Sequence, residues 1–209
     1  MKKAVGVLSG ELLGKIEFYQ ELIDKADTVF SADGGANHLL EIGRNPDFII
    51  GDMDSITAET KSIYESKNIK FITFPKEKDK TDGELMIEEI LNSGEYEEID
   101  IIGGFGGRVD HFLSNIFLLE KYEKIRFISD ETLMEVVKDR KEIRDCKGKT
   151  ISVIPISDKV RIKRLTGFKY CVENLNMKRG DTTGISNIVT EEKAIIEVES
   201  GKVIVVVNG

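Results

Sequence analysis

The sequence predicts an α/β fold in which an N-terminal part with a parallel sheet is followed by a C-terminal part rich in β-structure. In roughly the first 130 residues, short apolar runs alternate with segments whose apolar residues recur at helical spacing, which is typical of a parallel sheet with helices on both faces. From Leu133 to Gly209 the segments are β-branched and alternate apolar with polar residues, without a helical pattern. This change places the domain boundary between Asp130 and Gly148.

The N-terminal part is predicted to alternate strands and helices along the chain. The predicted strands are Ala4–Leu8, Thr28–Ala32, Phe48–Ile50, Phe71–Phe74, Ile99–Ile102 and Arg126–Ser129. The predicted helices are Leu12–Asp24, Asn37–Ile42, Ala58–Ser66, a segment from Thr81 to near Gly94, and Val109–Tyr122. Gly43 is expected to end the second helix, and Thr81-Asp82-Gly83-Glu84 forms a capping box that opens the fourth.

The C-terminal part is predicted to consist of strands. Clear examples are Thr150–Ile154, Val160–Leu165, Ala194–Glu199 and Lys202–Val207. Ser200-Gly201 separates the last two segments and suits a tight turn, so we expect these two strands to form a hairpin.

The composition of the chain argues against a nucleic-acid-binding protein, a zinc protein with cysteine ligands and a membrane protein. The chain has 209 residues and a formal net charge of −8, which opposes binding to nucleic acid or to anionic lipid. Its two cysteines, Cys146 and Cys171, form no C-x-x-C pair, which argues against a cysteine zinc site and suits a reducing, cytoplasmic compartment; a disulfide between them stays open. The apolar run after Met1-Lys2-Lys3 is too short for a signal peptide, and no stretch is long and apolar enough to cross a bilayer.

Four polar clusters each follow a predicted strand directly. They are Asp33-Gly34-Gly35-Ala36-Asn37, Gly51-Asp52-Met53-Asp54-Ser55, Lys78-Asp79-Lys80-Thr81-Asp82, and the run from Gly103 to His111. Because the carboxyl ends of parallel strands lie at one edge of an open sheet, where ligands bind, these clusters are expected to converge on one site. Oxygen ligands of this kind suit Mg²⁺ bound together with phosphate oxygens.

The first three clusters also have purely structural interpretations. Asp-Gly-Gly is an ordinary turn sequence. Asp52 and Asp54 can face one cation, or they can form an Asx-turn in which Ser55 or Thr57 caps the next helix. The Lys78–Asp82 segment can equally be a solvated loop and a helix cap.

The cluster from Gly103 to His111 has the most specific pattern. Its glycines allow close backbone approach to an anion, and Arg108 offers a planar fork for phosphate oxygens. Asp110 and His111 begin a helix, which favours a functional role for His111, whereas His38 is left undecided. Gly-x-x-x-x-Gly-Lys-Ser/Thr is absent and Gly104-x-Gly106 is not completed at Val109, so neither a P-loop nor a dinucleotide fingerprint is supported.

Taken together and in order, the four clusters resemble the motifs of the thiamine pyrophosphokinase family. The segments that carry the resemblance are Asp33-Gly34-Gly35-Ala36, Gly51-Asp52-x-Asp54-Ser55, Lys78-Asp79-x-Thr81-Asp82, Gly107-Arg108-x-Asp110-His111 and Gly184-Ile185-Ser186-Asn187. The resemblance implies a nucleotide-binding catalytic domain over residues 1–135 and a β-sandwich over 140–209 that binds thiamine and dimerises. It further implies a cytoplasmic homodimer that transfers the diphosphate group of ATP to thiamine, with Mg²⁺, and releases AMP.

The resemblance also suggests a role for each candidate residue. Asp52 and Asp54 are expected to bind Mg²⁺, with Asp79 and Asp82 as further ligands or as residues that hold metal-bound water, and with Asp33 completing the acidic cluster. Arg108 would stabilise the transferring diphosphate, while Asp110 and His111 would orient phosphate or substrate. The residues expected to contact the nucleotide, besides Arg108, are Asp33, Gly34, Gly35, Asn37, Thr81 and Gly107. Ser186 and Asn187 would contact thiamine.

Two other functions fit the same residues. One is a magnesium-dependent phosphohydrolase that uses the same aspartates with water as the nucleophile and needs no second substrate. The other is a regulatory module that binds a nucleotide without turnover and contacts a partner through its β-rich part.

Overall fold

The computed structural model describes residues 2–209, which divide into two compact units. The first unit contains the residues up to Leu118 together with Lys124–Asp130, and the second contains Leu119–Glu123 and Glu131–Gly209. Within the described residues, no helix is both long and apolar enough to cross a membrane.

Strands and helices alternate through the first unit as predicted. Its strands are β1 (Lys3–Val7), β2 (Thr28–Ala32), β3 (Phe48–Gly51), β4 (Lys70–Thr73), β5 (Glu98–Ile102) and β6 (Ile125–Ile128). The helices are α1 (Ile16–Asp24), α2 (Gly35–Ile42), α3 (Ala58–Ser66), α4 (Asp82–Ser93) and α5 (Val109–Lys121). The Thr81 hydroxyl accepts a hydrogen bond from the Glu84 N–H at 3.2 Å, so the predicted cap of α4 is confirmed.

The strands of the first unit form a parallel sheet in the order β4-β3-β2-β1-β5-β6. Strands β2, β3 and β4 are added in turn on one side of β1, and β5 then pairs with the other side of β1. This reversal creates a crevice outside the carboxyl ends of β1 and β5, which is where open α/β sheets bind ligands.

Helices cover both faces of this sheet, as the alternating pattern predicts. On one face, Val5 and Val7 of β1 share a buried cluster with Ala36 and Leu39 of α2. On the other face, a Cβ at Gly6 would lie 2.7 Å from the Met86 side chain of α4, so glycine permits this helix to pack closely. Both faces of β1 are therefore buried, and only its carboxyl end opens toward the crevice.

Helix α1 begins at Ile16, four residues after the predicted start at Leu12. Gly14 has a φ of +89°, a left-handed conformation that interrupts helical geometry, and Glu11 forms an isolated bridge with Phe105. The predicted helical start at Leu12 is therefore wrong, because Leu12 and Leu13 lie in a loop.

The second unit contains only strands apart from its short segment at the end of α5. These are β7 (Thr132–Val137), β8 (Arg140–Arg144), β9 (Thr150–Pro155), β10 (Val160–Thr166), β11 (Val172–Met177), β12 (Asn187–Ile188), β13 (Lys193–Ser200) and β14 (Val203–Asn208). Two antiparallel sets have the orders β12-β9-β14-β7 and β11-β10-β13-β8. Buried residues of both sets, such as Ile151, Val205, Ile162 and Ile196, belong to one core, which is the arrangement of a β-sandwich.

The predicted hairpin across Ser200-Gly201 is wrong. Strand β13 pairs with β10 and β8, whereas β14 pairs with β7 and β9, so the turn connects the two sheets. Gly201 has a φ of +80°, and a Cβ there would lie 2.4 Å from the Lys159 carbonyl oxygen. Glycine is needed for this tight passage between sheets, not for a two-residue hairpin.

Candidate active site

A cavity of about 580 Å³ opens at the carboxyl edge of the parallel sheet, within the first unit. Loops that follow β1, β2, β3, β4 and β5 all contribute to its wall. The lining residues are Leu8, Ser9, Gly10, Ala32, Asp33, Gly34, Ser55, Thr81, Asp82, Gly83, Gly103, Gly104, Gly106, Gly107, Arg108, Asp110, His111, Phe112, Ser114 and Asn115. All four predicted clusters are represented, so the expected convergence on one edge is observed.

The glycine-rich loop after β5 folds tightly against the end of β1. Gly103, Gly106 and Gly107 have φ values of +68°, +65° and +65°. A Cβ at Gly103 would lie 2.2 Å from the Leu8 carbonyl oxygen, so glycine is required there. The Glu11 N–H donates to the Phe105 carbonyl at 2.9 Å, and the Gly107 N–H donates to Glu11 Oε1 at 3.1 Å.

The segment after β1 was missed by the sequence reasoning. Leu8, Ser9 and Gly10 line the cavity, and Glu11 positions the glycine-rich loop. The signal was available, because these residues follow a strand of the same sheet as the four clusters. The undecided His38 also serves this segment, since its Nε2 lies 2.8 Å from the Gly10 carbonyl oxygen.

Arg108 and Asp110 form an exposed pair at the rim of the cavity. Arg108 donates from Nε to Asp110 Oδ1 at 3.1 Å and from Nη2 to Oδ2 at 2.6 Å. The hydrogen bonds from Arg108 hold the pKa of Asp110 below its usual range. The two side chains are 72% and 65% exposed, so the guanidinium can leave this partner for an incoming anion at little cost. His111 is also exposed, and its backbone N–H donates to Asp110 Oδ1 at 3.1 Å.

Asp33 is a buried carboxylate that fixes the loop after β3. It accepts hydrogen bonds from the Ser55 N–H at 2.9 Å and the Ile56 N–H at 2.8 Å. Asn37 supports the same loop by donating to the Ser55 carbonyl at 3.1 Å and accepting from the Thr57 N–H at 3.1 Å. Thr57 caps α3, as the structural interpretation of this motif expected. The hydrogen bonds of Asp33 and Asn37 hold the loop that contains Ser55, and Ser55 lines the cavity. A structural role for these residues is therefore compatible with a ligand site.

The glycines after Asp33 allow α2 to begin very close to β1. A Cβ at Gly35 would lie 2.2 Å from the Val7 carbonyl oxygen, and one at Gly34 would lie 3.1 Å from the Ser9 side chain. Gly34 lines the cavity, whereas Gly35 is buried and does not line it. Both positions therefore bring backbone close to the cavity without a side chain in the way.

Three carboxylates form a group that can hold a metal ion. Asp33, Asp52 and Asp82 each offer an oxygen, and these atoms lie within 4.8 Å of one another. Burial, reinforced by the charges of Asp52 and Asp33, raises the pKa of Asp82 despite the nearby Lys78 ammonium. Asp82 Oδ1 is buried and makes no hydrogen bond of good geometry, although Lys78 Nζ lies 3.1 Å away. Such an under-coordinated, buried anionic oxygen fits a hard divalent cation.

Asp54 and Asp79 lie outside this carboxylate group. Asp54 is 46% exposed and pairs with Lys76 at 2.9 Å, and the hydrogen bond from Lys76 lowers the pKa of Asp54. Met53 between Asp52 and Asp54 has a φ of +64°, which breaks the extended geometry that would direct both aspartates to one cation. Asp79 is exposed. The geometry thus favours Asp33 as the third member beside Asp52 and Asp82.

In the second unit, Asn187 holds the backbone of the neighbouring segment. Its Oδ1 accepts from the N–H groups of Tyr170 and Ile188, both at 3.0 Å, and its Nδ2 donates to the Tyr170 carbonyl at 2.8 Å. Asn187 is 7% exposed, so its amide serves the fold. Ser186 is exposed with a φ of +59°. Tyr170 is 60% exposed, and the Lys169 ammonium lies 5.3 Å from its ring centroid.

Comparisons with known proteins agree on one family. The family model described as "Thiamin pyrophosphokinase, catalytic domain" matches residues 19–128, and the one described as "Thiamin pyrophosphokinase, vitamin B1 binding domain" matches residues 135–203. The chain is 30% identical to a thiamine pyrophosphokinase of Bacillus subtilis over 98% of both chains.

Solved structures extend the similarity to the fold. A crystal structure of thiamine pyrophosphokinase from Bacillus subtilis matches with a TM-score of 0.86 at 30% identity, over 99% of both chains. A thiamin pyrophosphokinase from Geobacillus thermodenitrificans matches with a TM-score of 0.85 at 29% identity, over 100% of this chain and 98% of the other.

Proposed function

This chain belongs to the thiamine pyrophosphokinase family, and from that premise we propose that it transfers the diphosphate group of ATP to thiamine in a magnesium-dependent reaction. The products are thiamine diphosphate and AMP. The observation that carries the proposal is that Asp33 and Asp82 of the three-carboxylate group, a glycine-rich loop and Arg108 line one cavity, with Asp52 beside the two aspartates.

The cavity is the proposed nucleotide site. Its volume of about 580 Å³ lies within the range of small-molecule sites, roughly 300–1,000 Å³. Gly34, Thr81 and Gly107 line the cavity, and Asn37 fixes the adjacent loop. Glycines at the wall let the backbone approach the phosphates closely.

Asp33, Asp52 and Asp82 are proposed to hold Mg²⁺, which would neutralise phosphate charge when bound. In this assignment Asp33 has two roles, since it would bind the metal and it also accepts a hydrogen bond from the backbone N–H of Ser55. Asp54 and Asp79 then act only through their charge near the site.

The residues of the chain mainly position the reacting groups. The thiamine hydroxyl oxygen bonds to the β-phosphorus and gives up its proton to an aspartate or to water, while the bond from that phosphorus to the oxygen of the α-phosphate breaks, so that AMP leaves. Such a transfer needs alignment and charge stabilisation more than covalent help. Arg108 would turn its fork from Asp110 to the phosphate oxygens, and Asp110 and His111 at the start of α5 would orient them.

We further propose that thiamine contacts the second unit at Ser186 and Tyr170. Thiamine carries a cationic ring, and an exposed tyrosine face attracts a cation, as Lys169 near the Tyr170 ring illustrates. Asn187 would act as a positioning residue because it holds the Tyr170 backbone from both sides. The chain contains no tryptophan, so Tyr170 is the exposed large aromatic residue in this unit that suits the role.

A cytoplasmic homodimer is the proposed state of the protein. Val109, Leu113 and Phe117 recur every four residues on α5 and are 71%, 53% and 61% exposed. An apolar stripe of this kind is typical of a surface that a second copy covers. Cys146 and Cys171 are both free thiols, which suits a reducing compartment.

The nucleotide product tests the proposed function directly. The purified protein, incubated with ATP, Mg²⁺ and thiamine, is expected to produce AMP and thiamine diphosphate in equal amounts, measured by chromatography. ADP as the nucleotide product would contradict the proposal and indicate an ordinary kinase. Release of phosphate or pyrophosphate without thiamine would indicate a hydrolase, and ATP binding without turnover would indicate a regulatory module.

Replacing Tyr170 tests the thiamine contact. Tyr170→Leu is expected to raise the KM for thiamine by about 2- to 30-fold, because a cation–π contact contributes about 0.5–2 kcal/mol. The Kd for ATP, measured by calorimetry, should stay close to that of the parent protein.

Two further variants control for this interpretation. Tyr170→Phe keeps the ring and should keep the parent KM for thiamine. The double variant Ser186→Ala/Asn187→Ala should weaken thiamine capture selectively, because it removes the hydrogen bonds that hold Tyr170. Equal losses for ATP and thiamine would show that this segment only supports the fold.

A further inference from the structure

We propose that the Lys78 ammonium is a built-in counter-cation of the carboxylate group, which competes with the divalent metal for Asp52 and Asp82. The inference rests on the proposed metal site and assigns a regulatory role to a residue outside the metal ligands. If Lys78 competes in this way, the site binds a divalent ion tightly only when the ion is bound together with nucleotide phosphates.

The position of Lys78 carries the inference. Its Nζ donates to Asp52 Oδ2 at 2.8 Å and lies 3.1 Å from Asp82 Oδ1. The side chains of Lys78, Asp52 and Asp82 are only 14%, 11% and 25% exposed, so this is not a solvated surface pair. Lys78 thus places the side chain of a lysine, which is a cation at neutral pH, against two carboxylates.

Charge balance explains why a cation is needed there. Asp33, Asp52 and Asp82 bring three carboxylates within 4.8 Å of one another in a partly buried site. Like charges at this distance repel strongly, and one ammonium offsets part of that repulsion. Mg²⁺ binds carboxylate oxygens at about 2.0–2.1 Å, closer than an ammonium at hydrogen-bonding distance. Because Lys78 Nζ already lies against Asp52 Oδ2 and Asp82 Oδ1, Lys78 and the metal compete for Asp52 and Asp82.

Lys78 can leave this position without disturbing the helix. It precedes the N-cap residue Thr81 and lies in the loop between β4 and α4, on a flexible four-carbon side chain. Phosphate oxygens supply a new partner for the displaced ammonium and extra ligands for the metal. A metal ion that binds without nucleotide brings no phosphate oxygens. It must therefore displace Lys78 from Asp52 and Asp82 with no new partner for the ammonium.

Neighbouring lysines in the same loop provide matched controls. Lys76 pairs with the exposed Asp54 at 2.9 Å and is itself 76% exposed. Lys80 pairs with Glu88 of α4 at 2.7 Å. Both carry the same charge as Lys78, but neither contacts the three-carboxylate group.

The test measures Mn²⁺ binding to the nucleotide-free protein by electron paramagnetic resonance. Lys78→Met is expected to bind Mn²⁺ at least about 10-fold more tightly than the parent, since a nearby charge commonly shifts an equilibrium by one to three powers of ten. Lys76→Met and Lys80→Met should stay within about twofold of the parent. Added Mn²⁺ should also raise the melting temperature of Lys78→Met more than that of the parent, which reports binding independently of activity.

The outcomes separate this inference from the proposed function. If Asp82→Asn weakens Mn²⁺ binding but Lys78→Met does not strengthen it, the metal site stands and the role of Lys78 is overturned. If Asp82→Asn leaves Mn²⁺ binding unchanged, the metal site itself is wrong, and the inference falls with it. Should Lys78→Met fold poorly, Lys78→Gln replaces it under the same expectations.

Discussion

Asp52→Asn is expected to lower kcat/KM by about 10³-fold, because an amide keeps the shape of the side chain but removes the charge that a hard cation requires. Metal coordination at a transferring phosphate contributes several kcal/mol of transition-state stabilisation, and each 1.36 kcal/mol corresponds to about a factor of ten. The rate of AMP formation as a function of Mg²⁺ concentration measures the loss. The requirement for Mg²⁺ should rise together with the loss of rate.

Asp54→Asn provides the matched comparison for this prediction. It makes the same chemical change two residues away, at a side chain that pairs with Lys76 outside the carboxylate group. We expect a loss of less than about tenfold for this variant, in keeping with an exposed ion pair. Near-normal turnover of Asp52→Asn at moderate Mg²⁺ would instead show that Asp52 only shapes a turn. Equal losses for Asp52→Asn and Asp54→Asn would support the sequence-based prediction that both aspartates bind Mg²⁺.

Local patterns were sufficient to predict most of the first unit. The predicted bounds of β2 (Thr28–Ala32) and α3 (Ala58–Ser66) agree with the structure residue for residue. Apolar periodicity encodes such elements directly, because each element buries one face or both. The convergence of distant clusters followed from the same reasoning, since parallel strands end at a common edge.

The features that sequence did not predict depend on single backbone angles and on tertiary neighbours. Because Gly14 has a positive φ, α1 begins after it and not at Leu12. Because Met53 has a positive φ, the side chains of Asp52 and Asp54 do not face one cation. Alternation in β13 and β14 identifies strands, but it does not tell which sheet each one joins. The contact of Lys78 with Asp52 spans 26 positions in sequence, so no local pattern reveals it.

Arg108→Lys is expected to lower kcat by about 10²–10³-fold, the typical loss when one transition-state donor is removed. Lysine keeps the charge, but it lacks the planar fork that binds two phosphate oxygens at once. The substitution is expected to leave stability unchanged, because the Arg108 side chain is 72% exposed and its hydrogen bonds among the described residues go to Asp110. The melting temperature should therefore stay close to that of the parent while single-turnover AMP formation slows.

Arg44→Lys is the control, because it makes the same change in another two-point arginine–aspartate pair of the first unit, in which the Arg44 side chain is 33% exposed. Arg44 donates from Nε to Asp24 Oδ1 at 2.6 Å and from Nη2 to Oδ2 at 2.7 Å, and it does not line the cavity. A normal kcat in Arg44→Lys beside a low kcat in Arg108→Lys would place the lost donor at the reacting phosphates. An unchanged kcat in Arg108→Lys with a raised KM for ATP would contradict this role, since Arg108 would then bind the nucleotide equally in the ground state and the transition state.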